Sequence, residues 1–475
     1  MSNGSLSRRE MVLQSAGGFG GLALAAMMSP NALALRSESQ EAWNGGLHHR
    51  AKAKRVIQLF MNGGTSQVDT FDFKPQLEKR HDETVDFGIK ATATGTPGPL
   101  MGSPFAWKRH GQCGRWVTDV FPHMAKHVDD LAFLMAMTSK TNVHGPASYL
   151  QTTGFLLPGF PSCGAWASYG LGHITDNLPS FVVLPDSRGL PYNGMGNFGA
   201  GFLPANHAGV VIHPSSSTPI PDLKPAANSK FVTDQSSRDG LRLLQELNNK
   251  HAHDRPGDNR LVARIESYEL AAKMQLAAPE AFELNDESME THTAYGTERS
   301  GHDGSFSKNC LTARRLIERG VRFVQVWSGP GGPTNNWDNH GNIPKELPPI
   351  ARQVDQPIAA LLTDLKMRGL MSDTIVIWTT EFGRMPFTQN GLGRDHNGGT
   401  FVTWLAGAGI RPGVSHGSSD EFSYRAVENV TYGYDLHATL FHLLGIDHER
   451  LTMRHNGIDR RLTDVHGQVI QEILA

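Results

Sequence analysis

Cysteine is nearly absent. Three thiols in 475 residues, Cys113, Cys163 and Cys310, are too few and too widely spaced for a disulfide framework, and they read as separate buried thiols. An excess of either charge is missing too: 44 basic side chains meet 46 acidic ones, for a net charge of -2. That balance argues against nucleic acid or an acidic polymer as the main partner. After residue 34 no run reaches the roughly 18 uninterrupted apolar residues that a membrane helix needs, so no integral membrane segment is expected once a leader is removed. The chain has no Gly-x-Ser-x-Gly elbow, no Walker A loop and no Gly-x-Gly-x-x-Gly after a strand. Ser66 and Ser148 are nucleophiles on paper, but nothing in the sequence supplies either with an activating base.

What is present begins at the N-terminus, which reads SRREMVLQSAGGFGGLALAAMMSPNALA. Arg8-Arg9 precede a moderately apolar, glycine-rich stretch, and Ala32-Leu33-Ala34 offers a small-residue cleavage site. The segment resembles a twin-arginine (Tat) export signal. The expected organisation is a signal peptide over 1–34, a polar linker over 35–53 and one domain over 54–475. The expected location is periplasmic or extracellular.

Short continuous apolar runs mark buried strands: VIQLFM, LAFLMAM (131–137), SFVVLP (180–185), VRFVQVW, TIVIWTT (374–380) and FVTWLAGAG (401–409). Helices alternate with them: CLTARRLIERG (310–320), ending at a glycine, DQPIAALLTDLKMRGLM (355–371), and YDLHATLFHLLGI (434–446). The alternation predicts an α/β fold with a central, mostly parallel sheet and helices on both faces. LRLLQEL and LVARIESYELAAKMQL carry apolar residues at helical spacing and predict a helical insertion over 238–285.

Ligand sites in open α/β sheets gather at the carboxyl ends of strands. The residues found there are Asn62 and two glycines, then His144, then Asp338 and His340, and then Glu381, Arg384, Arg394, Asp395 and His396. Carboxylates and imidazoles of this kind ligate zinc or a similar divalent ion. Each cluster also fits a plain loop whose side chains cap backbone amides. His437 and His442, five apart on a helix, read as structural.

The ordered set FMNGGTSQVDTFDFKP, HGPASYLQTTG, WDNHGN, TTEFGRMP, GRDHNGG and NGIDRRLTDVHG resembles the family catalogued as domain of unknown function 1501, over about residues 50–475. That family is similar in fold to the alkaline phosphatase and sulfatase superfamily. The resemblance implies metal ligands on strand-end loops and an exported hydrolase of phosphate or sulfate esters, either small molecules or polysaccharides. It also marks departures. Asn62 stands where active relatives carry an aspartate, and His144 stands where they carry a hydroxyl nucleophile. Glu381-Phe382 replaces an Asp-His pair, and no Cys-x-Pro-x-Arg motif is present. The expectation is therefore one metal subsite from Asp338, His340 and His396, with Asp395 beside it, holding zinc or calcium. Glu381 or His144 would act as base, and Arg384 or Arg394 would hold an anion. The alternative expectation is a non-catalytic member of the fold that binds a glycan or a protein.

Overall fold

VIQLFM is apolar at every position but Gln58 because it lies mid-sheet with both faces covered, and Gln58 Oε1 accepts from Gln325 Nε2 of the neighbouring strand at 2.8 Å. The structure, a computed structural model, describes residues 47–88, 97–216, 219, 234–255, 261–262, 264–266, 269, 280–389 and 391–475. Two units separate by contact, Met1–Leu47 and His48–Ala475, and the description below concerns the second. The expected leader over 1–34 and most of the expected linker lie outside the described residues. Among the described residues, nine strands form one sheet. They are β1 (Arg55–Met61), β2 (Leu131–Thr138), β3 (Phe181–Leu184), β4 (Val210–Val211), β5 (Phe323–Ser328), β6 (Thr374–Thr379), β7 (Phe401–Gly407), β8 (Val414–His416) and β9 (Thr431–Tyr432). The order is β8-β2-β7-β6-β1-β5-β3-β4, with β9 also paired to β2. β1 runs parallel to both neighbours, β5 and β6, whereas β7 runs antiparallel to β2 and β6. The sheet is thus mostly parallel, as the uninterrupted apolar runs require.

One face carries Ile57, Leu59, Val324, Val326, Val376 and Trp378, packed with residues of α4 (Gly301–Glu318) and α5 (Ile343–Met367) in a single core. The opposite face carries Phe60 stacked on Trp327 and Phe181 set edge-on to Phe323. It is covered by α2 (Cys163–Leu171), where a Cβ on Gly164 would meet the Phe181 ring at 2.6 Å. Two helices lie beyond: α1 (His144–Thr153) and α6 (Gly433–Leu443). Of the three thiols, Cys163 and Cys310 are buried as expected, but Cys113 is exposed; all are free.

α5 departs from its expected start at 355. It begins at Ile343 and runs through Pro348, Pro349 and Pro357. An interior proline orphans the carbonyl four residues earlier. For Pro357 that carbonyl is Gln353 O, and Arg299 Nη2 donates to it at 3.4 Å, while Arg299 Nη1 donates to Arg352 O at 3.0 Å. Tertiary partners thereby offset a break that local sequence dictates. In the expected insertion, α3 (Asp234–His253) is a 20-residue helix with Leu243, Leu244 and Leu247 exposed. Most of LVARIESYELAAKMQL lies outside the described residues. No helix among the described residues is long and apolar enough to cross a membrane.

His437, in α6, is structural in its contacts. It is 2 % exposed, and its Nε2 donates to Gln151 O of α1 at 3.0 Å while Nδ1 has no partner. Burial lowers its pKa from 6.5 to about 4. A histidine held neutral in the fold contributes stability above its unfolded pKa, and that stability is lost as pH falls towards the folded value. The expected loss is roughly 2 kcal/mol between about pH 7 and pH 5. Urea unfolding of the native chain and of His437→Gln at both pH values checks this: the variant should lose about that much less. Equal losses would contradict it.

Candidate metal centre

Three strand ends and one helix start converge. β1 leaves the sheet through Asn62-Gly63-Gly64. Gly63 has φ +121°, and a Cβ there would lie 2.7 Å from the backbone nitrogens of Trp337 and Asp338. Glycine is therefore what lets the loop after β5 press against the end of β1. Asn62 Nδ2 fastens that loop by donating to Pro330 O at 2.8 Å and Gly329 O at 3.2 Å. After β6 the chain passes Glu381 and returns through a two-residue antiparallel ladder that sets His396 opposite Arg384. His144 opens α1, just beyond β2. Gly393 lets the returning segment lie on the β5 loop, since a Cβ there would overlap His340 O at 1.7 Å.

This framework brings His144, Asp338, His340 and His396 together, with one ligand atom from each lying within 4.8 Å of all the others. Asp338 Oδ1 is 2.8 Å from His340 Nε2 and 3.0 Å from His396 Nε2. Asp338 Oδ2 is 3.3 Å from His144 Nε2, a buried nitrogen that makes no hydrogen bond. The Nε2 atoms of His340 and His396 are 2.7 Å apart. Two lone-pair nitrogens so close need a proton or a cation between them.

The far side of each ring decides which nitrogen carries the proton. His144 Nδ1 faces Glu381 Oε1 at 2.7 Å, His396 Nδ1 faces Asn142 O at 2.7 Å, and His340 Nδ1 faces Gln389 Oε1. All three facing atoms are oxygens, so a proton on each Nδ1 finds an acceptor, and that tautomer, the one a cation at the common point would select, leaves every Nε2 lone pair facing it. The His144 ring is held between Tyr192, stacked at 4.4 Å, and Phe382 at 4.8 Å. Glu381 is fully buried and also accepts from Gly63 N at 2.8 Å and Thr380 Oγ1 at 3.1 Å.

Charge at the site favours a cation. Burial opposes ionisation of Asp338. The Arg384 guanidinium and the three neighbouring imidazoles nevertheless hold its carboxyl far below the usual range. Burial likewise opposes protonation of His144, but Asp338 and Glu381 outweigh it and raise its pKa. For His396 burial wins, with Arg384 adding to it, and the pKa falls to about 4. Burial and the two carboxylates push Tyr192 up to about 12.

The expected anion-binding arginines are placed otherwise. Arg384 is fully buried, and its donors go to Gly64 O at 2.8 Å, Trp337 O at 3.2 Å, Arg394 O at 3.2 Å, Gly63 O and Asp338 Oδ1 at 2.6 Å. Arg394, equally buried, grips Asp69 with Nε at 2.7 Å and Nη2 at 3.0 Å, and donates to Met101 O at 2.9 Å. Arg394 turns its donors away from the centre, and Arg384 meets it at Asp338 Oδ1 and, through Nη1 at 3.5 Å, at His340 Nε2. Strand-end carbonyls surround the Arg384 guanidinium, and the Asp69 carboxylate holds that of Arg394. Asp395 is outside the converging group as well, and its Oδ1 accepts from His396 N at 2.8 Å. Neighbouring residues of an extended segment point to opposite faces, so His396 and Asp395 cannot both face the same point. His144, expected as a base, joins the converging group through its Nε2, and Glu381 stands behind it at Nδ1. Gln389 and Tyr192 had no sequence signal beyond lying in loops; Asn142 lies at a strand end, but it meets His396 through its backbone carbonyl, which no side-chain pattern marks.

The family model described as "Protein of unknown function (DUF1501)" matches residues 53–474. The chain belongs to the DUF1501 family. No curated protein matches it. Among solved structures, this DUF1501 chain is similar to the alkaline phosphatase from the Antarctic bacterium TAB5, at 12% identity, over 77% of this chain and 94% of that one, with a TM-score of 0.31. It is also similar to the PsFucS1 sulfatase from Pseudoalteromonas sp., at 12% identity over 87% and 70% of the two chains, with a TM-score of 0.35. The lipoteichoic acid synthase LtaP from Listeria monocytogenes matches at 9% identity over 86% and 78%, with a TM-score of 0.34. Scores this low carry no argument about the site, which rests on the geometry above.

Proposed function

We propose that this DUF1501 protein is an exported, single-metal hydrolase of phosphate or sulfate esters, with His144, Asp338, His340 and His396 as the metal ligands. The observation that carries the metal reading is the convergence of three Nε2 lone pairs and one carboxylate, with every Nδ1 pinned to an acceptor. Three nitrogens and one oxygen suit zinc, whereas calcium takes an all-oxygen shell of six or more ligands. A bound ion of this kind supplies Lewis acidity and lowers the pKa of water at the site. The protein's own groups do the orienting. Glu381 holds the proton on His144 Nδ1, the Asn142 carbonyl holds that on His396 Nδ1, and Arg384 fixes Asp338 Oδ1. No hydroxyl occupies the start of α1, so no covalent ester to the protein is part of this reading.

Glu381→Gln tests the orienting role. The amide can still accept from Gly63 N but no longer balances a charged His144 environment. Zinc affinity is expected to fall about 10- to 100-fold with the fold intact, as for other groups that back a ligating histidine. Unchanged affinity in a zinc titration would remove Glu381 from the site. Turnover is tested with a panel of phosphate and sulfate monoesters and the zinc-loaded protein. Hydrolysis lost on chelation supports the proposal, and uniform inactivity overturns it.

A second reading is favoured by one observation: four protein donors can fill a tetrahedral shell by themselves, as structural zinc sites do. In that reading the protein is a non-catalytic glycan- or protein-binding member of the fold, and the same ester panel decides between the two. Cell fractionation of the full chain and of an Arg8→Lys, Arg9→Lys variant tests export.

A further inference from the structure

Gly398 and Gly399 lie just beyond His396 in the chain, and they let two further segments close on the rim of the centre. A Cβ on Gly398 would meet Asn142 Oδ1 at 2.6 Å, Thr141 O at 2.9 Å and Ser139 O at 3.2 Å. One on Gly399 would meet Tyr424 O at 2.6 Å and Arg425 Cα at 3.5 Å. Backbone hydrogen bonds hold both contacts: Ser139 N donates to Gly398 O at 2.8 Å, and Ala426 N donates to Gly399 O at 2.8 Å. Lys140 and Arg425 thereby flank the segment that carries His396. The Asn142 carbonyl backs the His396 ring, and the two residues of chain from Lys140 to Asn142 span at most about 7 Å.

Both cations are exposed, and both lie over tyrosine rings. Lys140 Nζ is 5.0 Å from the centre of the Tyr434 ring, 5.9 Å from that of Tyr432 and 3.5 Å from His466 Nε2. These three rings form one stack, Tyr432 to Tyr434 at 5.0 Å and Tyr434 to His466 at 4.6 Å. The guanidinium carbon of Arg425 is 5.7 Å from the centre of the Tyr424 ring. An aromatic face fixes a cation without neutralising it. Among the described residues no carboxylate pairs with Lys140. Asp420 meets Arg425 only at 3.9 Å, and its oxygens already accept from Phe422 N, Tyr424 N and Arg425 N at 2.8–3.1 Å.

We propose that Lys140 and Arg425 form an anion subsite beside the metal centre, which holds a second phosphate or sulfate of the same substrate. The proposal rests on reading the adjacent donor group as the reacting end, and it narrows the ester to one that carries two anionic groups. It moves the anion-binding role expected of Arg384 and Arg394 to cations that solvent reaches.

Alkane bisphosphonates and alkyl monophosphonates test it, because their P–C bonds are not ester bonds and do not turn over. Isothermal titration of the zinc-loaded full chain compares bisphosphonates of increasing chain length, each with the monophosphonate of the same length. One length should bind at least about tenfold tighter than its monophosphonate, the gain from one charge-assisted contact. In Lys140→Gln with Arg425→Gln, that gain should shrink to less than about threefold while zinc content stays the same. Both side chains are exposed, so the fold survives the change, and each single variant should lose part of the gain. The proposal is overturned if no bisphosphonate gains on its monophosphonate, or if the gain survives the double variant. If the gain appears as expected and no ester is hydrolysed, the subsite stands and the hydrolase reading falls. If monoesters are hydrolysed and no gain appears, the hydrolase reading stands and the subsite falls.

Discussion

His396→Ala is expected to lower bound zinc from about one ion per chain to less than about a tenth, while the fold survives. The ring is one of three imidazoles facing the shared point, and its Nδ1 proton is fixed on Asn142 O at 2.7 Å. Removing it deletes a donor and leaves one carbonyl without its partner, which costs stability on the order of 1 kcal/mol. The β-sheet is untouched, because the short ladder that carries His396 is held through backbone pairing with Gly383 and Arg384. Elemental analysis and circular dichroism after purification without chelator give the two readouts. Retained metal with a normal spectrum would show that the four residues are not the ligand set. Global unfolding would show that the ring's role is packing.

Arg384→Met is expected to behave in the opposite way, with a large loss of stability of about 3–5 kcal/mol. The guanidinium is fully buried and is the cation nearest Asp338, with 2.6 Å between Nη2 and Oδ1. It also satisfies the carbonyls of Gly63, Gly64, Trp337 and Arg394, which belong to three different strand-end segments. Methionine fills much of the volume but leaves a buried carboxylate and four carbonyls without donors. Urea unfolding of the two proteins measures the difference. If Arg384 instead served to hold a substrate anion, stability would change by less than about 1 kcal/mol and only affinity for the ester would fall.

The two substitutions mark where sequence reading holds and where it stops. Buried parallel strands are legible because both faces need apolar residues, and VIQLFM and TIVIWT lie where their runs place them. Strand ends then bring Asp338, His340 and His396 to one place, although each lies on a loop with no strong motif of its own. Side-chain direction is less legible. Arg384 and Arg394 have the charge an anion site needs, but the sequence does not show that carbonyls and Asp69 surround them. Asp395 and His396 are adjacent in the chain and face apart. α5 starts twelve residues before its expected beginning because Arg299, distant in sequence, satisfies a carbonyl that Pro357 orphans. Gln389 was beyond reach, since it has no recognisable neighbours in the chain and acts only through His340.

The central claim is that His144, Asp338, His340 and His396 ligate one divalent ion. The most direct measurement is an anomalous difference map at the zinc absorption edge, from crystals of protein purified without chelator. The expected result is a single strong peak about 2.0–2.2 Å from the three Nε2 atoms and an Asp338 oxygen. A map with no peak there, in well-ordered crystals of protein supplied with zinc, would contradict the account.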